Sequence, residues 1–178
     1  AYVASATYNS SQIIDISDPT NPTFVGQLQD SGRLSGADSV YVSGKYAYVT
    51  SGSSLQIIDI SNPANPTFIG QLQDSGRLSG AISVHVSGTY AYVVSIWDNS
   101  FQIIDVSDPT SPTFAGELQN DTRLYRPWSV YVSGEYAYAT SRNGGSLQII
   151  DVSNPTNPIF VGELQDSVKL NGAQPVYV

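Results

Sequence analysis

Gln56-Ile57-Ile58-Asp59 decides the architecture, because the same four residues return as Gln12-Ile13-Ile14-Asp15, Gln102-Ile103-Ile104-Asp105 and Gln148-Ile149-Ile150-Asp151. The Asp residues are 44, 46 and 46 positions apart, so the chain is a tandem array with a period near 45. Reading outward, each copy is preceded by Tyr-Ala-Tyr-Val (Tyr46 to Val49) and a short variable loop. It is followed by a Pro-rich turn, a Phe-x-Gly-x-Leu run (Phe68 to Leu72), a second variable loop and Ser-Val-x-Val-Ser-Gly (Ser83 to Gly88).

Each unit thus holds four short runs rich in Val, Ile, Tyr, Phe and Thr, bounded by turn residues, as strands are. For the second unit the pattern predicts Leu55 to Ser61 and Thr67 to Gln73, continuing into Ser83 to Val86 and Tyr90 to Ser95. Ser43-Gly44-Lys45 reads as a tight hairpin with Gly44 at positive φ. The two prolines of Asp18-Pro19-Thr20-Asn21-Pro22 forbid ladder hydrogen bonds and make that segment a loop. Asp15, Asp59, Asp105 and Asp151 precede these turns and read as side-chain-to-backbone turn formers, not metal ligands. No 3.6-residue period occurs, so no helix is expected.

Tyr46-Ala47-Tyr48-Val49 and Ile57-Ile58 place apolar groups on both faces of a strand, so each sheet must be covered on both sides. With a period that fits one four-stranded sheet, the expected fold is an all-β propeller of four-stranded blades. The single repeat domain divides at approximately 1–36 with the C-terminal strand 173–178, then 37–80, 81–125 and 126–172. Pro175-Val176-Tyr177-Val178 repeats an innermost strand and Ala1-Tyr2-Val3 a second strand, so the terminal strands are expected to share a blade. Two closures fit: a four-bladed ring within one chain, or an eight-bladed ring of two chains joined head to tail. Large residues at Tyr41, His85, Tyr131 and Tyr177 favour the wider, homodimeric ring.

Leu55-Gln56-Ile57-Ile58-Asp59 and Leu147-Gln148-Ile149-Ile150-Asp151 resemble the signature of LVIVD-repeat proteins, with weaker copies at Phe101 to Asp105 and Ser11 to Asp15. The following Ser-Asp-Pro-Thr-Asn-Pro and Val-Ser-Gly-x-Tyr-Ala-Tyr runs match that repeat too. Gln takes the place of its usual apolar second residue, which reads as an exposed edge. The resemblance implies a β-propeller and an extracellular or cell-surface setting, and carries over no catalytic residue.

Composition narrows the function. There are 15 acidic against 7 basic residues, a net charge of −8, which opposes nucleic-acid binding and anionic membranes. No apolar run is long enough to span a bilayer, so a soluble protein without membrane insertion is expected. Ala1 opens the sequence inside a strand-like run without a signal-peptide pattern, which reads as a processed, excised or engineered piece. Absence of Cys removes disulfides and thiolate sites. No cofactor or metal set is expected.

The copies differ chiefly in two loops expected to open on one face, and the third unit departs most. It carries Trp97, Asp98 and Asn99 in one loop and Asp121, Arg123, Tyr125, Arg126 and Trp128 in the other. Aromatic surface beside Asp, Asn and Arg suits a protein or carbohydrate ligand. The bland alternative is that Trp97 and Trp128 pack on each other as a cap. Arg33, Arg77, Arg123 and Lys169 recur once per unit, either as an anion-binding ring or as partners of nearby Asp30, Asp74 and Asp166. His85, the only histidine, stands in a tyrosine position and reads as a core substitution. Asp98 and Asp121 are the sole candidates for a hydrolytic carboxylate pair, and no nucleophile or triad is recognisable. The expectation is therefore a non-catalytic binding module, with a lectin-like role or a ligand-free symmetric scaffold, natural or engineered, as alternatives.

Overall fold

The computed structural model describes residues 1–178 and contains fifteen strands and no helix. The first sheet joins β1 (Tyr2–Ser5), β2 (Ser10–Asp15) and β3 (Thr23–Gln29). The second joins β4 (Ala37–Ser43), β5 (Tyr46–Ser51), β6 (Ser54–Asp59) and β7 (Thr67–Gln73). The third comprises β8 (Ala81–Ser87), β9 (Tyr90–Ser95), β10 (Ser100–Asp105) and β11 (Thr113–Gln119). The fourth comprises β12 (Pro127–Ser133), β13 (Tyr136–Ser141), β14 (Ser146–Asp151) and β15 (Ile159–Gln165). Every sheet is an antiparallel meander in chain order. These are the blades of a β-propeller.

The turns form for the anticipated reasons. Gly44, Gly88 and Gly134 have φ of 58°, 60° and 60° at the first hairpin of each four-stranded blade. The repeated Asp accepts the backbone N–H two residues on: Ser17 on Asp15 at 2.8 Å, Ser61 on Asp59 at 2.8 Å, Ser107 on Asp105 at 2.9 Å and Ser153 on Asp151 at 2.9 Å. Hydrogen bonds from those serines, the side chain chiefly for Asp59, Asp105 and Asp151 and the backbone N–H chiefly for Asp15, hold the four carboxyls below the usual Asp range.

Blades pack face to face. Along β6, Leu55 and Ile57 point into the third blade's core, while Ile58 points into the first's. A loop leucine plugs each junction: Leu34, Leu78 and Leu124 are fully buried. On the outer strands Gly26, Gly70 and Gly116 receive the carbonyls of Pro63, Pro109 and Pro155 from the following blade, so close that a Cβ would collide. On the innermost strands Ser39 Oγ accepts from Val84 N at 3.5 Å and Ser83 Oγ from Val130 N at 3.2 Å. Tyr41, His85, Tyr131 and Tyr177 form a column with ring centroids 4.5, 4.5 and 4.8 Å apart. His85 is buried there, as a core residue should be, and burial lowers its pKa.

Gln56, Gln102 and Gln148 do not lie on an exposed edge. They are 2%, 1% and 0% exposed, because the second residue of the repeated string faces the preceding blade. Gln56 donates to Ser54 Oγ at 2.9 Å, and Gln148 to Ser146 Oγ and to Glu163 at 3.0 Å.

The blades form an arc. Residues 173–178 lie beside β12, with Val176 N on Ser129 Oγ at 3.3 Å, and make no ladder with β1. One face of the first sheet and one of the last are therefore uncovered, which the expectation of double coverage missed: Phe24 is 78% exposed and Leu164 59%.

Gly70→Ala should cost at least about 1–3 kcal/mol, since backbone must move to admit the methyl. Leu78→Ala should cost about 2–5 kcal/mol in urea unfolding, by leaving a void between the second and third blades. The pH profile of the melting temperature should fall in two steps. A buried His with lowered pKa favours the neutral form, so stability begins to decline as pH drops below about 6.5. The depressed Asp carboxyls contribute above about pH 4 and lose their contribution below it. His85→Tyr, the residue found in the other copies, should erase the first step and leave the second.

Candidate functional site

The two variable loops of each blade share one face and are bonded to each other. Ser51 Oγ donates to Ser35 O at 2.8 Å, Ala81 N to Gly52 O at 3.0 Å, Asn120 N to Asn99 O at 3.1 Å and Gly172 N to Arg142 O at 3.0 Å. A β-bulge opens each complete innermost strand on this side, with shifts between Ala37 and Ser39, Ala81 and Ser83, and Pro127 and Ser129. The unpaired residue is Asp38, Ile82 or Trp128, so the bulge aims the variable side chain away from the ladder.

In the third blade the loop after β9 is pinned to its neighbours. Ile96 N reaches Gly80 O at 2.9 Å, Trp97 N reaches Ser79 O at 3.2 Å, and Ser79 N donates to Asp98 Oδ2 at 2.6 Å. Asn99, at φ 49°, accepts Arg126 N at 2.8 Å and donates to Asp121 Oδ1 at 3.0 Å. Trp97 lies against Gly80, where any Cβ would strike its ring. The Arg126 guanidinium covers the ring with its carbon 4.6 Å from the centroid, and Trp97 remains 61% exposed. Arg126 has φ 51° where the other copies have Gly36, Gly80 and Gly172, so an arginine occupies a left-handed position suited to glycine. Arg142 covers Trp128 in the same way at 4.6 Å. Burial pushes the Asp98 carboxyl upward, with the Ser79 N–H opposing.

Of the anticipated residues, Trp97, Asp98, Asn99 and Arg126 come together, with Trp128 and Arg142 forming a second aromatic–cation pair. The two tryptophans do not pack on each other; an arginine takes each ring instead. Tyr125 is exposed nearby. Arg123 turns to the following blade, over Phe160 at 5.1 Å and 3.7 Å from Glu163. Asp98 and Asp121 each serve as loop braces.

The basic residues of the repeat form inter-blade clamps. Arg33 covers Phe68 at 4.7 Å, and Arg77 covers Phe114 at 4.7 Å while lying 3.4 Å from Glu117. Asp30, Asp74 and Asp166 instead accept N–H groups of their own loops, with Lys169 alone pairing Asp166 at 3.8 Å. Gln71 stands where Glu117 and Glu163 stand in later blades, leaving Arg33 beside a polar cleft of 430 Å³ lined also by Ser51, Gln56 and Gln73. Sequence reasoning missed Arg142 as a site residue. Aligning the copies would have found it, because Gly52 and Ile96 occupy its place elsewhere.

Two solved structures share this fold. A protein from Lactobacillus plantarum superposes with a TM-score of 0.77 at 14% identity, over 92% of this chain and 53% of that one. A functionally unknown protein from Desulfotomaculum acetoxidans gives 0.58 at 13% identity, over 93% and 66%. This chain thus spans about half the length of the first and just under two thirds of the second. No curated protein matches. The LVIVD repeat is matched four times, at residues 1–30, 36–74, 80–120 and 126–166, in phase with the four blades. The chain belongs to the LVIVD-repeat family.

Proposed function

We propose that this propeller segment is a non-catalytic interaction module that binds a carboxylate-bearing segment of a partner protein through its variable-loop face. The observation that carries the reading is the pair of cation–π contacts, Arg126 over Trp97 and Arg142 over Trp128, neither arginine joined to an acidic residue. Three of the seven Lys and Arg side chains are spent on junctions, whereas Arg126 and Arg142 stand over tryptophan rings with no acidic partner. A guanidinium fixed by stacking keeps its N–H edges available and has little rotamer entropy left to lose when it grips a carboxylate bidentately. Each arginine occupies one of the two ring faces on which a sugar would lie, which favours a protein ligand over a carbohydrate one.

Titration of tryptophan fluorescence with an oligoglutamate peptide tests this. Saturable, salt-sensitive quenching is expected, weakened about 10-fold or more by combined Arg126→Ala and Arg142→Ala. A response to neutral saccharides with none to the peptide would overturn the reading in favour of a lectin, and silence towards both would favour a ligand-free scaffold. Arg126→Gly separates binding from folding. It relieves a left-handed backbone worth about 1–2 kcal/mol while losing about 0.5–1 kcal/mol of cation–π contact. Its thermal stability should therefore hold or rise, while peptide affinity falls.

A further inference from the structure

Each junction between successive blades is built from the same two half-sites. The leading blade offers a cation and an outer-strand glycine; the following blade offers a phenylalanine and a proline turn. Arg33, Arg77 and Arg123 lie over Phe68, Phe114 and Phe160. Gly26, Gly70 and Gly116 take the carbonyls of Pro63, Pro109 and Pro155. One half-site of each kind is left over. The fourth blade presents Lys169, 85% exposed at its side chain, and Gly162, which no proline approaches. The first blade presents Phe24, 78% exposed, with no cation over its ring, and the Pro19 turn.

The surfaces around these residues match in the same sense. On the first sheet a cavity of 570 Å³ opens on Val3, Gln12 and Ile14, the counterparts of residues that other blades bury, and on Phe24, whose counterparts are half-buried. On the fourth sheet Leu164 is 59% exposed and Val161 50%, where Leu118 and Ala115 pack into the junction before them. Residues 174–178 lie beside β12 in the place of a further innermost strand without forming one, while β1 is paired on one side only.

We propose that a second copy of this chain covers both ends head to tail, closing an eight-bladed ring of two chains. Lys169 of one copy then lies over Phe24 of the other, Gly162 receives the Pro19 turn, and residues 174–178 pair with β1. The contact is heterologous, because the two half-sites lie on opposite ends of the arc; such a contact either closes a ring or runs on as a filament. Eight blades is within the range of closed propellers.

Light scattering on the purified 178-residue chain tests this. A mass of about 38 kDa, twice the 19.0 kDa chain, is expected across tens of micromolar protein. A mass of 19.0 kDa, or an open series of larger species, overturns it. Phe24→Asp and Leu164→Asp, each on an exposed residue, should separately reduce the mass to that of one chain while circular dichroism keeps its β signature. Mixing the two variants restores one intact junction, so a two-chain species should reappear. If either variant alone stays dimeric, the ends do not meet head to tail.

Discussion

Close approach of one sheet to the next governs this molecule. The outer strand of each blade carries a glycine at the one point where the next blade's proline turn bears on it. No side chain larger than hydrogen fits between Gly70 and the Pro109 carbonyl. Apolar residues on both faces of the central strands supply the driving force, and that contact sets how near the sheets come. Prolines suit the role because their turn has a fixed shape and needs no ladder partner. The loop leucine at each junction closes the remaining gap from the variable-loop side.

Because spacing is set by sheets and proline turns, the opposite face is free to vary. Its loops are tied to one another by backbone hydrogen bonds that ask little of side-chain identity, so Arg126 can stand where its siblings are glycine, Arg142 where others have Gly52 or Ile96, and Trp128 where others have Asp38 or Ile82. The differences are not free of cost. Arg126 sits in a conformation that its counterparts meet with glycine, and Asn99 sits in another, held by two side-chain hydrogen bonds. Two of the three non-glycine residues at positive φ, Asn99 and Arg126, fall in this one pair of loops, the third being Asn9 in the first blade, and that concentration marks the place as the specialised one.

Much of this was legible in the sequence. The period, the predicted strands such as Thr67–Gln73 and Tyr90–Ser95, the hairpin glycines and the Asx turns depend on local chemistry that repeats four times, so one reading is checked by three others. What escaped was set by the neighbouring blade. Gln56 reads as an edge residue because glutamine prefers water, yet its place in the alternation turns it into a junction, where Ser54 satisfies its amide nitrogen. Arg77 has Asp74 three residues away, but that carboxylate is already taken by loop N–H groups, and the arginine reaches Phe114 and Glu117 across the junction. Mutual packing of the two tryptophans was the alternative to a ligand role, and no sequence signal showed that arginines 14 and 29 positions away would reach the rings instead.

The tandem design also explains why specialisation can be confined to one region. In a repeat array stability is close to a sum of unit and nearest-neighbour terms, so a strained loop weakens its own junction and leaves distant ones intact. The third-to-fourth junction bears that load with the same set as the second-to-third: a buried leucine, a glycine–proline contact, a cation over phenylalanine and a glutamate beside it. The first junction has Gln71 in place of the glutamate, and there the polar cleft beside Arg33 opens. The complete clamp therefore lies directly under the strained, aromatic loops, and the incomplete one lies under loops without strained arginine or tryptophan. Scaffold strength follows the demands of the surface it carries.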